Sequence, residues 1–510
     1  MPAPFAADQD HDYDVVVVGS GLGGLSAAGF LGRAGRRVLV VERRDKFGGY
    51  AAAFERGPYR FDPAIHIIAQ GENFLMAKAL RYLQVYDQLE FVRTGSYYEA
   101  RFPDFTLRLP QDREGYVAAL TREFPGHEDN LRRFTDLCQQ IHREVHALPP
   151  HLTLRELEEA VARFPTLFRY RMSTLGDVLD EHFGDDARLK EVIGAWWPWF
   201  GLPPSKLSFF TITTPHISFL NEGGYVCTGG AQSLVDALVS GVSMTGGELI
   251  ADNGARRILL TDGRVSGVEL ADGSVVRAPV VVSAIDARRT FEELVGVDAL
   301  PTGFARKLQR LKPSLSAVTI YAATRLDVKA LGLAHTTFLH RHWSADRVHA
   351  DILEGRPGGI WLSIPTLVDD SLAPAGEHLL IWTCMARTDA VPDEEQRDAY
   401  VDEVLAMYES VLPGLRESLT WLESGTPRTI ARFGGARGGE LYGWENSPMQ
   451  AGTRRLHHRT PVEGLFLCGH WTQPGSGTFR AIFSGVETTM NILGAGFADQ
   501  FLRGLELAPS

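Results

Sequence analysis

The segment from Tyr13 to Glu42 restricts the fold more than any other part of this chain. Val15-Val16-Val17-Val18 runs directly into Gly19-Ser20-Gly21-Leu22-Gly23-Gly24, a small-residue stretch continues from Leu25 to about Arg33, and a second apolar run, Val38 to Val41, ends at Glu42. Four consecutive β-branched residues read as a strand buried on both faces, and Leu25, Ala28 and Leu31 recur at helical spacing. The segment therefore predicts a βαβ unit. In such a turn Gly19 permits the tight bend, Gly21 lets backbone approach a diphosphate, and Gly24 lets the helix pack closely on the strand. The helix beginning near Gly21 presents its positive end to that diphosphate. Glu42 stands where a carboxylate accepts hydrogen bonds from a ribose hydroxyl and repels a 2′-phosphate. The pattern predicts dinucleotide binding, with Ser20, Gly23 and Arg43 beside the same ligand, and leaves FAD and NAD both open.

Two later segments favour FAD. Phe47-Gly48-Gly49-Tyr50 returns backbone toward a diphosphate, and Leu465-Phe466-Leu467 ends in Cys468-Gly469-His470, a short strand that can bring a distant part of the chain to the same ligand. Pro474-Gly475-Ser476-Gly477-Thr478 follows and leads into a helix running through Gly485 to about Ile492. If its N-terminus is aimed at an isoalloxazine, that helix stabilises negative charge on the N1–C2=O side of the ring. Gly48, Gly49, Tyr50, Gly469, His470 and the run Pro474, Gly475, Ser476, Gly477 and Thr478 are accordingly expected at the cofactor.

At 510 residues with 44% hydrophobic content, the chain exceeds what one core accommodates and predicts two domains sharing a cleft. The character of the chain changes after residue 75, where mixed helices and short strands begin, and Pro149-Pro150 marks a break within them. A helix from Gln232 to about Ser240, two hairpins turning at Asp262-Gly263 and Asp272-Gly273, and a buried strand at Val280 to Val282 come next. The expected architecture is α/β: a Rossmann-type FAD-binding domain, discontinuous in sequence (residues 1–75, 215–300 and 425–510), plus an α+β substrate domain (residues 76–214 and 301–424).

A formal net charge of -12 and a pI near 5.8 argue against a nucleic-acid partner, which needs clustered Lys and Arg. Cys138, Cys227, Cys384 and Cys468 are scattered without CxxC spacing, so a reducing cytoplasm is the expected location. Residues Met1 to Tyr13 carry Asp8, Asp10 and Asp12 and no basic n-region or apolar h-region, so no secretory signal is expected. No apolar run approaches the ~20 residues of a spanning helix.

With these residues in view, the chain resembles the FAD-dependent phytoene desaturases, carotenoid isomerases and retinol saturases, flavoproteins related to amine oxidases. The resemblance rests on Asp14 through Gly24, Glu42 with Gly48-Gly49, Phe61-Asp62, Tyr225 followed by Gly229-Gly230, and Gly464 through Gly469 to Ser484-Gly485. Looser matches, such as Ala373 to Gly376 and Tyr442-Gly443, extend it to essentially the full length. It implies non-covalent FAD, a substrate domain with an apolar tunnel, and desaturation, saturation or isomerisation of a hydrophobic unsaturated, isoprenoid- or carotenoid-like substrate. It also implies peripheral contact with a membrane. Two readings stand beside this one: a tailoring oxidoreductase of the same family acting on a polyketide-type polyene, with reductive cyclisation, and a redox-inactive FAD-binding scaffold. The chain departs from the family pattern at Tyr50, where relatives carry Arg or Ser, and at Pro63-Ala64-Ile65-His66, where Phe-Asp is usually followed closely by glycine.

His66 is the first candidate for handling a proton beside the flavin, since imidazole titrates near neutral pH, and His470 beside Trp471 is the second. The aromatic segment Ala195 to Phe200 offers Trp197, Trp199 and Phe200 as the lining of an apolar substrate site. His142 and His146 share a helix face, but the order differs from H-E-x-x-H and no metal site is predicted. No second dinucleotide fingerprint is evident, so oxygen, a quinone or a transient reductant is expected as the electron partner.

Overall fold

The computed structural model describes residues 11–70, 75–147, 154–391, 393–494, 496, 497 and 501. Asp8, Asp10 and Pro149-Pro150 lie outside the described residues. The four valines form the central strand β1 (Val15–Val18) of a five-stranded parallel sheet. Its other strands are β2 (Val38–Val41), β3 (Glu248–Ile250), β4 (Val280–Ser283) and β5 (Leu465–Leu467), in the order β3-β2-β1-β4-β5. Val15 aligns with Val38 on one side and Val280 on the other. Both faces of β1 are buried, as a continuous β-branched run requires.

Val15 and Val17 face a core built with three helices: α1 (Leu22–Arg33), α3 (Ala231–Met244) and α4 (Thr478–Leu493). A fourth helix, α2 (Phe209–Glu222), belongs elsewhere. Val16 and Val18 face a second core covered by the three-stranded meander of residues 255–277. Its two turns at Asp262-Gly263 and Asp272-Gly273 join antiparallel strands. α1 and α4 meet at close range, because a side chain on Gly485 would stand 2.6 Å from the Ala27 nitrogen. The Ser26 hydroxyl donates to the Ile482 carbonyl at the same crossing.

A seven-stranded sheet, antiparallel except for one pairing, forms the second unit, in the order 419–425, 316–324, 378–386, 360–363, 336–339, 98–102 and 105–109. The helices of residues 113–222 pack over one end of it in a core rich in Trp, Tyr and Phe. Two expected domain divisions fall inside packed elements. Helix Leu75–Tyr82 buries Met76, Ala79 and Leu80 against the same core as Val15 and Val17, so packing does not change at residue 75. The division at 215 falls in the middle of α2, whose residues on both sides of Pro215 join the aromatic core.

The turn after β1 depends on Gly24, where an added side chain would stand 2.1 Å from the Gly19 carbonyl oxygen. That contact is backbone and cannot swing aside. Gly24→Ala is expected to lower the stability of the apo protein by about 1–3 kcal/mol, the usual cost of overpacking, read from a urea unfolding curve.

Candidate functional site

Gly19 N donates to the Val41 carbonyl, which ties the turn after β1 to the end of β2. Glu42, at the end of β2, is 7% exposed and accepts from Ser20 N at 3.0 Å, Ser20 Oγ at 2.7 Å and Arg44 N at 3.0 Å. The acid expected at a ribose thus also pins the glycine turn, and its oxygens keep acceptor capacity beyond these three bonds. Gly48 N donates to the Ser20 carbonyl at 3.0 Å, drawing the second glycine loop against the first. Gly21 is the informative position. Its φ of −63° suits any residue, yet an added Cβ would meet nothing within 4 Å. The fold does not require glycine there, and the space its missing side chain leaves is where a diphosphate fits against backbone N–H groups.

From the other side, β5 delivers Gly469, whose N–H donates to Ser484 Oγ of α4 at 2.9 Å. A side chain on Gly23 would stand 2.9 Å from Gly469 Cα, so the two ends of the chain meet at the N-terminus of α1. These segments enclose a cavity of about 1600 Å³, its solvent-open part included. Gly19, Ser20, Gly21, Gly23, Glu42, Arg43, Gly48, Gly49, Tyr50, Gly469, His470, Gly477 and Thr478 all line it.

Four expected contacts lie elsewhere. Gly24 is turned against the Gly19 carbonyl, Gly475 packs on Arg455, and Pro474 lines neither this cavity nor the one beyond it. Ser476 lines the adjoining chamber instead. Sequence reasoning missed the loop after β4, Ala284-Ile285-Asp286, and the pair Gly434-Gly435, both on the cavity wall. A buried strand ending in a small residue and an acid, and a paired glycine, were the available signals. Asp286 accepts from the Arg437 N–H and from Arg288, whose guanidinium reaches Glu440 at 2.6 Å and lies 5.1 Å over the Trp471 ring. This buried acid–base network forms a stiff wall behind His470 and Trp471.

Past Ala64, Ile65, Trp361, Tyr442, Gly477 and Thr478, which line both spaces, the cavity adjoins a chamber of about 1020 Å³, its solvent-open part included. Its aromatic wall is Trp196, Trp199, Phe200 and Phe219. Trp199 and Phe200 thus stand where a substrate lining was expected. Trp197 does not: it is fully buried, with its ring edge-on to His349, and Trp196 takes the lining position. Tyr442 Oη donates to the Pro198 carbonyl at 3.0 Å and fixes this aromatic turn to the cavity wall.

His66 lines the chamber, but not as a group that titrates near neutrality. A carbonyl only accepts, so the 3.1 Å contact with the Asp62 oxygen places the proton on Nε2, and Nδ1 accepts from Ser363 Oγ at 3.1 Å. Burial lowers its pKa to about 4, against the opposing bond to Asp62. His470 is lowered to about 4 by burial and by the Arg455 charge. Both rings are neutral at pH 7, so the expected proton-transfer role at neutral pH has no charged imidazole behind it.

Two outcomes follow from this geometry. Gly21→Ala is expected to leave apo stability within about 0.5 kcal/mol while lowering flavin affinity at least about tenfold, read from the 450 nm to 280 nm absorbance ratio and an apo unfolding curve. Buried histidines with lowered pKa also set the acid limit of the fold: His66, His340, His349 and His470 at about 4, His216 and His335 at about 3. The unfolded chain binds protons on these rings below pH ~6.5 that the folded chain refuses, so stability is full above that value and falls as pH drops toward 4. Urea midpoints measured from pH 7 to 4.5 should decline steadily, and a flat profile would contradict the buried neutral state.

Residues 22–493 match the family described as flavin containing amine oxidoreductase. The chain is 28% identical to prolycopene isomerase 2, chloroplastic, of an Oncidium hybrid cultivar, covering 94% of this chain and 83% of that protein. It is 24% identical to the all-trans-retinol 13,14-reductase of Danio rerio, covering 90% and 82% respectively. Cyclohexylamine oxidase from Brevibacterium oxydans shares the fold, with a TM-score of 0.62 at 17% identity over 96% of this chain and all of that one. A family match across nearly the whole chain, together with a cradle that glycine geometry leaves open for a diphosphate, establishes the assignment. The chain belongs to the flavin-containing amine oxidoreductase family and is an FAD-dependent oxidoreductase.

Proposed function

We propose that this enzyme acts on an apolar, conjugated chain of isoprenoid type, by saturation, desaturation or isomerisation of its double bonds. The observation that carries the reading is the aromatic chamber joined to the dinucleotide cavity through Ala64, Ile65, Trp361 and Tyr442. FAD in the cavity supplies two-electron chemistry at carbon. The chain's own part is to bind the substrate on Trp196, Trp199, Phe200 and Phe219, to keep water away from it, and to hold it at the junction between the two spaces. With His66 and His470 neutral, the chamber is suited to a reaction that needs no strong protein base at neutral pH.

Relatives named for prolycopene isomerisation and retinol reduction support the substrate class, since both names describe conjugated chains. A scaffold that only holds FAD has no use for a second chamber. A polyketide-tailoring enzyme would favour a more polar one than this largely apolar lining. The reading carries a cytoplasmic location with peripheral contact to a membrane, from which such substrates are drawn.

The purified protein is expected to be yellow and to release FAD on denaturation. Mixed anaerobically with carotenoid, retinoid and polyketide polyenes, the enzyme should respond to an isoprenoid polyene and not to a polyketide one: the photoreduced flavin is reoxidised if the reaction is saturation, the oxidised flavin is bleached if it is desaturation, and the polyene spectrum shifts with no net change of flavin redox state if it is isomerisation. Reduction of the oxidised flavin by primary amines, with no response to any polyene, would overturn the proposal.

A further inference from the structure

Pro215 lies inside α2 and has no N–H to offer the carbonyl four residues earlier, Thr211. That carbonyl instead accepts from Arg480 Nη2 at 2.8 Å. The arginine sits in the first turn of α4 and lines the chamber beside Thr214, Pro215 and Ser218. One N–H of its guanidinium is used at Thr211 and the others remain for a ligand. Among the described residues, no carboxylate pairs with it.

A second guanidinium stands close behind. Arg455 is 1% exposed and donates to the His470 and Trp444 carbonyls and to Asn446 Oδ1, all neutral acceptors. Burial lowers Arg455 to about 9, with the Arg480 charge adding to it, and lowers Arg480 to about 10, so both stay protonated at neutral pH. The N-terminus of α4 adds a third positive element, and a cation is disfavoured at that end of a helix. A buried cation, a partly buried one beside it and a helix N-terminus, with no carboxylate paired to either cation among the described residues, are costly unless a ligand supplies the negative charge.

We propose that Arg480 recognises an anionic end of the substrate, so that the chamber takes a conjugated apolar chain terminating in a carboxylate. A carboxylate matches the planar fork of a guanidinium with two parallel hydrogen bonds, and the chain behind it lies along Trp196, Trp199 and Phe219. The Thr211 carbonyl holds the fork in position before the ligand arrives. This inference rests on the chamber being the substrate site, as proposed above.

The test uses the FAD-loaded enzyme, oxidised and anaerobic, titrated with all-trans-retinoic acid and with all-trans-retinol while the flavin spectrum is followed. Wild type should bind the acid at least about tenfold more tightly than the alcohol. Arg480→Gln keeps an N–H for Thr211 but no charge, and should lose that preference while affinity for the alcohol, flavin content and flavin reduction potential stay unchanged. Arg480→Lys should retain part of the preference. An equal loss for acid and alcohol would make Arg480 a structural brace, and a lowered reduction potential with binding intact would assign its charge to the flavin; either result overturns the inference. Alcohol binding without preference for the acid in wild type overturns it alone, whereas failure of both polyenes to bind overturns the chamber reading as well.

Discussion

Glu42 accepts three hydrogen bonds at the end of β2, two from Ser20 and one from the Arg44 backbone, and the glycine loops that wall the diphosphate end of the cavity can be traced from it. Hydrogen bonds to a charged acceptor are worth about 1.5–3 kcal/mol each, so three of them hold a glycine turn that has little side-chain packing of its own. With Ser20 fixed, its carbonyl receives Gly48 N and the second loop follows. With the turn fixed, α1 can approach until Gly23 touches Gly469, and the C-terminal strand and α4 are brought to the same point. A buried carboxylate alone would be a liability. Here its hydrogen bonds compensate the burial, and the same arrangement shapes the cradle.

The parts of the fold that were legible in the sequence are those where local chemistry leaves one solution. Four β-branched residues in a row can be buried on both faces in a parallel sheet, and Gly24 stands where a Cβ has no room. The remote ends of the chain could be joined because β5 and α4 carry the same strand–glycine–helix pattern as the start. What could not be read depends on tertiary partners far away in sequence. His66 looked like a neutral-pH titrating group, but burial keeps its ring neutral, and the hydroxyl that bonds it, Ser363, lies 297 residues away. The loop after β4 and the Gly434-Gly435 pair reach the cavity only through sheet order and packing.

The aromatic segment shows the same limit on a smaller scale. Trp197–Phe200 forms a single tight 3₁₀ turn preceded by Trp196, and in so short a turn neighbouring side chains point in very different directions. A composition argument finds the cluster but not its face. Trp197 is the one turned into the core, while Trp196, Trp199 and Phe200 meet the chamber. Likewise the expected divisions at 75 and 215 fall inside packed helices: helix 75–82 looks like the start of something new and is part of the dinucleotide core.

Pro215 turns a local defect into a joint between units. The Thr211 carbonyl that it strands belongs to the helical layer, and the donor that satisfies it arrives from 269 residues away on a helix anchored to the parallel sheet. The two halves of the molecule are therefore fastened at the chamber wall by a bond that neither could form alone. Any rearrangement that draws α2 away from α4 must either re-solvate that carbonyl or carry the arginine with it. Opening the wall and exposing the cation are one event.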